Sequence, residues 1–597
     1  MNNRTANIIA VCLLISLFLA TLSSIKDDSF TFDETAHVTA GYSYLSQKDY
    51  RLNPEHPPLI KDLAALPLLF LDLNFPRDHP AWVQEEPPQW WFQFDFANQF
   101  LYHSDNNPDQ ILFWSKLPMI LLLIFLGWFL FYWARELFGN KAGLIVLFLF
   151  SFSPTFLAHG RLVTTDVGAA LGVVLATYFW LKFLRSPTKK NIILAGLIFG
   201  LTMLIKFSLI LLIPFFALIT LIYAWITASK KPALNVLKYL GLALLIGIIG
   251  MVFIVWPVYQ YHILNYPPEQ QIRDTQFQLL GTSVPKPLIK INLWMVERPI
   301  LRPFSQYLMG LLLAINRSTT GHTTYFLGEI ATEGWPSYFP IVYLIKEPLA
   351  FHILTLIALL YLAWSVKRPF WQNIFQRIKS WIQNHFPEFA MLTFLGIYWL
   401  TSLTSKLNIG VRHLLPAFPF TMILVGAVIC NHWLTPTPKF GAAKKIKYLL
   451  IGILLLWQAI SAAAIYPYFL AYFNELVAGP NQGYIYVVDS NLDWGQNLKR
   501  LASWVEINKI DKIYLDYFGG GDPEYYLKEK YAPWWGKRNP DELPKGSYLA
   551  VSATQLQGGR ASFVKGSDLP SDYYMWLYQY EPPIAKIGYS IFIYHVD

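Results

Sequence analysis

Residues 7–44 read NIIAVCLLISLFLATLSSIKDDSFTFDETAHVTAGYSY. The first half is an apolar run over about 7–25, and a bilayer span needs roughly 20 such residues. The second half sets Asp33, Glu34 and His37 directly beyond that span. The next motif, NPEHPPLIKDLAALP (53–67), adds Glu55, His56 and Lys61 among prolines that force an extended backbone. Ionisable groups held this densely beside a span point to chemistry at one membrane surface, where buried charge is costly and usually functional.

The whole chain extends that pattern. Of 597 residues, 54% are hydrophobic and only 14% charged, against about 25% charged in soluble domains. Aromatics at 17% suit a protein with many membrane–water interfaces, where such rings settle. The two cysteines, Cys12 and Cys430, sit in apolar runs and supply neither a disulfide framework nor a metal-ligand spacing. Eleven spans are expected, at about 7–25, 111–133, 141–158, 166–184, 191–206, 207–226, 237–258, 341–364, 388–405, 412–432 and 447–467. The first also has the small residues of a cleavable signal peptide near its end, LATLSS.

Sidedness follows from Lys and Arg in the short loops. With the N-terminus cytoplasmic, Arg135, Lys141, Lys182, Arg185, Lys230, Lys231, Lys367, Arg368, Lys439 and Lys445 all fall inside. The acids concentrate outside, above all in 26–110, so the C-terminus is expected outside as well. The net charge of +9 is thereby read as topology and anionic lipid, with no nucleic acid partner. The transmembrane part is expected over 1–467, with outer loops 26–110 and 259–340. Residues 468–597 are expected to form a small α/β domain, with YIYVVDSN and KIYLDYFGGG as strands around a helix in GQNLKRLASWVEIN. FGGGDP (518–523) reads as a turn rather than a phosphate loop.

In this frame HGRLVTTD (159–166), Lys206 and SKLNIGVRHLLP (405–416) join Asp33 and HPPLIK at the outer face. Each has a bland alternative. Asp33 has the chemistry of a helix N-cap, and Asp166 that of a carboxylate favouring a helix dipole or bridged to Arg161. Lys206 suits snorkelling. Arg412 and His413 are harder to dismiss, because outward-facing basic residues oppose the positive-inside trend. Together, carboxylates to accept a proton and cations to hold an anion suit transfer of a sugar from a lipid phosphate.

FDETAHVTAGYSYL (32–45), RLNPEHPPLIKDLAALPLL (51–69), GRLVTTD (160–166), GEIATEGWPSYFPIVYLIKEPL (328–349), SKLNIGVRHLLPAFPF (405–420) and AYFNELVAGPNQGYIYVVDSNLDWGQNLKRL (471–501) resemble bacterial membrane glycosyltransferases of the C superfamily. The likeness is to the protein O-mannosyltransferase-like branch (family 39), akin to the lipid A aminoarabinose transferases, and runs from about 7 to 505. It implies an α-helical polytopic enzyme of the bacterial inner membrane that moves a sugar, with inversion, from a polyprenyl-phosphate donor to a protein, lipid A or other envelope acceptor. Asp33 is then the base, with Glu34 beside it and Asp166 as the second acid. His56, Lys61, Arg161, Arg412, His413 and Lys206 are phosphate contacts, and a divalent cation at Glu34 or Glu55 is an open question. The β-trefoil of eukaryotic protein mannosyltransferases has no counterpart here. The alternatives are a transporter or flippase for lipid-linked sugars, which has less use for paired carboxylates, and a ligand sensor.

Overall fold

The computed structural model describes residues 1–84, 86–228, 231–365, 372–434, 441–563 and 572–596. Of the basic inner-loop residues, Lys230, Lys367, Arg368 and Lys439 lie outside the described residues. The described chain is a polytopic helical membrane protein with small sheets toward its C-terminus. Among the described residues, eight helices are long and apolar enough to cross a membrane. The pair Tyr338–Lys346 and Leu349–Ser365, bent by 112°, makes a ninth if it is one span.

Two of the eleven expected spans are thus shorter helices. The run at 141–158 forms Asn140–Ser151 and then Pro154–His159. Pro154 cannot donate to the preceding turn, and Ser153 accepts a hydrogen bond from Phe156 N to start the second helix. The run at 191–206 forms the 15-residue helix Lys189–Met203. It stops because Lys206 takes an extended backbone and turns its ammonium onto Asp166, 2.5 Å away.

The two spans that carry Asp166 and Arg412 are the most enclosed. In Thr165–Arg185 and Val411–Asn431, 78% of the apolar window is buried by protein, against 17% for Pro232–His262. A helix ringed by other helices can present a charged side chain to a protein-lined space rather than to lipid. Segment 259–340 contains the helices Pro268–Leu280, Lys286–Val296 and Arg302–Thr320 and a hairpin of Thr324–Phe326 with Glu329–Ala331.

Beyond the last apolar helix lies a five-stranded sheet. Its order is Tyr531–Pro533, Ile513–Asp516, Ser547–Ser552, Ile591–Val596, Ala585–Ile587, with the first three strands parallel and the last two pairings antiparallel. Leu498, Leu501 and Val505 of the helix Leu498–Ile507 pack against Ile513, Leu515 and Ile593 of this sheet. The expected strand YIYVVDSN is absent. Its residues make 3-10 turns at Gly483–Ile485 and Asp489–Asn491 and a single bridge, Val487 to Phe326. Asp489 has φ +55°, and Ser490 and Asn491 bond sideways into 409–411, so neither can continue a ladder.

Two glycines allow the close approaches that shape the region around Asp33. A Cβ on Gly41 would lie 2.2 Å from Lys61 O, so only glycine lets the helices Phe32–Ser46 and Leu59–Ala65 meet there. A Cβ on Gly520 would lie 2.4 Å from Thr31 O. FGGGDP is therefore a tight packing turn against the start of the helix that carries Asp33.

Candidate active site

The helix Phe32–Ser46 opens on a capping box: Thr31 N donates to Glu34 Oε2 at 3.0 Å, and the Thr31 side chain caps the first turn in return. The cap is Thr31, so the N-cap reading of Asp33 is set aside. Asp33 sits in the first turn with its side chain 24% exposed, at the wall of a cavity of about 670 Å³.

The cavity has two characters. One part is apolar, with Phe207, Ile210 and Leu211 from one span, and Leu311, Ala314 and Ile315 from the helix Arg302–Thr320. The other part holds Asp33, His37, His56, Glu55, Lys206, Arg317, Arg412, His413 and Asp489. Arg412 contacts two carboxylates and an aromatic ring. Its Nη1 is 3.0 Å from Asp33 Oδ2 and 3.6 Å from Asp166 Oδ2, and its guanidinium stacks 4.2 Å from the Trp494 ring centre. Arg412 Nε and His413 Nε2 are buried with no hydrogen-bond partner among the described residues. Buried donors without partners are rare, and here they lie in the wall of a cavity. Lys206 and Arg412 both lean on Asp166, which is itself fully buried behind the wall.

His37 and His56 meet edge to face at 5.1 Å between ring centres. Burial holds the His37 imidazole down at about 4 and pushes His56 well below the ordinary histidine value. His37 Nδ1 lies 2.8 Å from Val163 O, a pure acceptor, so this nitrogen carries the proton. Near neutral pH both rings are therefore uncharged in the unliganded protein.

Several expected site residues do other work. Glu34 is fully buried and spent on the capping box, on Val163 N at 2.9 Å and on Lys116 at 3.5 Å. Arg161 is turned into a buried cluster, with Nη1 2.6 Å from Asp28 Oδ2 and 2.9 Å from Ser24 O. Lys61 is wholly buried; its Nζ donates to Tyr44 OH (2.8 Å), Asn53 O (2.9 Å), Asn53 Oδ1 (3.1 Å) and His56 O (2.8 Å). The prolines place the carbonyls around Lys61, and the lysine holds the loop that presents Glu55 and His56. None of the three lines this cavity, where a base partner (Glu34) and phosphate contacts (Arg161, Lys61) were expected to stand.

Neither suggested metal ligand is free: Glu34 is committed as above, and Glu55 pairs with Arg317 at 2.7 Å. Among the described residues no group of three or more His, Cys, Asp or Glu side chains is placed to hold a metal ion. The residues at this site therefore do not fit such an ion.

From sequence, Arg317, Asp489 and Trp494 have no site role, and His37 has only a place in the ionisable stretch beyond the first span. For Arg317 a signal existed, because it is another basic residue in an outer loop, the feature that singled out Arg412. Asp489 comes from 80 or so residues beyond Arg412, and its carboxyl is pushed up to about 6, chiefly by burial, with Arg412 opposing.

Residues 110–256 match the family described as dolichyl-phosphate-mannose-protein mannosyltransferase. That segment is protein-mannosyltransferase-like. The match bears out the resemblance over this segment, which holds the motif GRLVTTD (160–166) and with it Arg161 and Asp166, and also Lys206. The chain is also similar to the crystal structure of ArnT from Cupriavidus metallidurans bound to undecaprenyl phosphate, at 11% identity and TM-score 0.45, covering 98% of this chain and 97% of that one. A second similar structure is the oligosaccharyltransferase AglB from Archaeoglobus fulgidus in complex with an inhibitory peptide and a dolichol-phosphate (12% identity, TM-score 0.46, 91% and 69% covered). No curated protein matches the sequence.

The placement of Lys61 carries a direct prediction. Lys61→Ala removes four hydrogen bonds and leaves buried acceptors unpaired, which costs about 1–3 kcal/mol for each group so exposed. The melting temperature is expected to fall by many degrees. The affinity of the folded fraction for undecaprenyl phosphate is expected to change less than about threefold, since a typical lost phosphate contact would cost 1.5–3 kcal/mol. Calorimetry paired with lipid titration checks this, and a large affinity loss at unchanged stability would return Lys61 to the phosphate site.

Proposed function

We propose that the chain is an inverting glycosyltransferase that takes its sugar from a polyprenyl-phosphate donor at the extracytoplasmic face. The single observation behind this reading is the Asp33–Arg412 pair at the wall of a mostly apolar cavity that also carries a set of charged side chains. The apolar side chains suit the prenyl chain, and the charged ones suit phosphate and sugar. The mannosyltransferase-like match over 110–256 supports the same class.

The chemistry is a single displacement. The acceptor hydroxyl oxygen attacks the anomeric carbon, and the bond from that carbon to the phosphate oxygen breaks with inversion. Arg412 holds Asp33 through Oδ2, and Oδ1 has no protein donor among the described residues. Asp33 Oδ1 takes the acceptor proton. Arg412, Lys206, Arg317 and His56 receive the polyprenyl phosphate as it leaves with both bonding electrons. Phosphate departs as an anion, so cations substitute for the general acid that glycosidases need. Asp166 keeps Lys206 and Arg412 aimed at the cavity. The acceptor is a hydroxyl on a protein, on lipid A or on another envelope glycan, in a bacterial inner membrane.

Mass spectrometry of envelope glycans and glycoproteins, with and without this chain, identifies the product. Transfer in liposomes from a polyprenyl-phosphate sugar then tests the reading, and an unchanged envelope together with no transfer would refute it. The orientation is tested separately. Alkaline phosphatase fused after residue 505 is expected to be active, as is a fusion within 26–110. Inactivity at both would invert the topology and remove the cavity from the outer face.

A further inference from the structure

The segment Asp489–Asn497 lies past the last apolar helix, yet it bonds to both sides of the site. On one side Ser29 N donates to Gln496 O at 3.1 Å, Ser29 Oγ donates to Gly495 O at 2.7 Å, and Phe32 N donates to Trp494 O at 3.0 Å. These contacts fix the entry to the helix of Asp33. On the other side Val411 N donates to Asn491 Oδ1 at 2.9 Å and Ser490 Oγ donates to Ile409 O, which fixes the residue next to Arg412.

One residue touches both halves. The carbonyl of Trp494 holds Phe32, and its indole, only 1% exposed, lies under the Arg412 guanidinium at 4.2 Å. Arg412 has a carboxylate at one edge and an unpartnered Nε at another. A guanidinium on a long side chain rotates unless its plane is held. Stacking on an aromatic face supplies that restraint without using a single N–H donor.

We propose that Trp494 is a positioning residue that holds the plane of Arg412 so that its free edge meets the donor phosphate, making this part of the tail a working wall of the site. The inference rests on the lipid-phosphate reading above. The carbonyl contact to Phe32 is independent of the side chain, so substitutions at Trp494 test the ring alone.

The experiment is titration of the purified full chain in nanodiscs with undecaprenyl phosphate, with the melting temperature recorded for every variant. Trp494→Phe keeps an aromatic face and is expected to hold Kd within about threefold. Trp494→Leu keeps apolar volume without the face and is expected to weaken binding about 5- to 20-fold, within the range for a desolvated cation–aromatic contact. In an Arg412→Ala background, Trp494→Leu is expected to change Kd less than twofold, because the group it orients is gone. Wild-type affinity in Trp494→Leu overturns the proposal, as does an equal loss in both backgrounds, which would mark a packing role. If the wild-type chain itself fails to bind undecaprenyl phosphate, the donor reading falls and this inference with it. Binding by the wild type with the Leu variant unaffected overturns this inference alone.

Discussion

Asp33→Asn is expected to lower sugar transfer about 100- to 10,000-fold, the usual contribution of a general base, while the protein inserts, folds and binds undecaprenyl phosphate. The substitution is informative because the cap of this helix is made by Thr31 and Glu34, which it does not touch. Asparagine also keeps the size of the side chain and a carbonyl oxygen for Arg412, but it cannot accept the acceptor's proton. Arg412 retains Asp166 at 3.6 Å, so the cation that meets the phosphate stays in place. Transfer is measured in liposomes from the lipid donor, with lipid binding and melting temperature as controls. Turnover near the wild-type rate would remove Asp33 from the mechanism and make Asp489, which lines the same cavity, the next base to test.

Asp28→Asn is expected to destabilise the protein by about 3–5 kcal/mol, the cost of leaving buried charges without their partner. Asp28 is buried and accepts from three cations: Arg161 at 2.6 Å, Arg500 at 2.9 Å and Lys116 at 3.2 Å. Those cations come from three separate places: the loop before the helix Thr165–Arg185, the tail helix Leu498–Ile507, and the helix Pro108–Phe138. One carboxylate therefore ties the tail to the membrane part. Burial alone would raise its pKa, yet Arg161, Lys116 and Arg500 outweigh that and bring it down from 3.8 to about 2.

The sign for pH follows. The folded pKa is below the unfolded one, so the carboxylate contributes stability that is fully present above the unfolded value. That stability is lost as pH falls through about 4 and on toward 2. A shift of this size corresponds to about 2 kcal/mol at 1.36 kcal/mol per pH unit. Wild-type melting temperature is expected to fall over that acid range, and the Asn variant, already destabilised, is expected to lack this component. A variant with wild-type stability, or with an undiminished acid slope, would show that Asp28 is not the tie.

The placement of the two acids Asp28 and Glu34 shows where reading from sequence stops. Both lie within a few residues of Asp33 in an outer acidic stretch, and by type and spacing the three are interchangeable. In the structure Asp28 faces three cations, Glu34 closes a capping box, and Asp33 alone reaches the cavity. Basic residues divide the same way. Arg412 and Lys206 line the cavity as the outward-facing charge pattern suggested, whereas Lys61 and Arg161 point into the protein. The short helices at 141–158 and 191–206 have a similar origin. Both segments are apolar, but Ser153–Pro154 breaks the first helix in two and the turn at Lys206 toward Asp166 follows the end of the second.

Apolar run length, helix punctuation and the charge of short loops act over tens of neighbouring residues, and the free energy of inserting a segment depends on that local composition. The sequence by itself therefore determined a polytopic helical membrane protein, the grouping of ionisable motifs at one end of its helices, and a small sheet-containing tail. Which carboxylate lines the cavity and which is spent on a partner depends on contacts hundreds of residues apart, such as Arg412 with Asp33, Arg500 with Asp28, and Trp494 beneath Arg412. Only the tertiary structure decided those, because the energy of a buried charge is set by what packs against it and not by its neighbours along the chain.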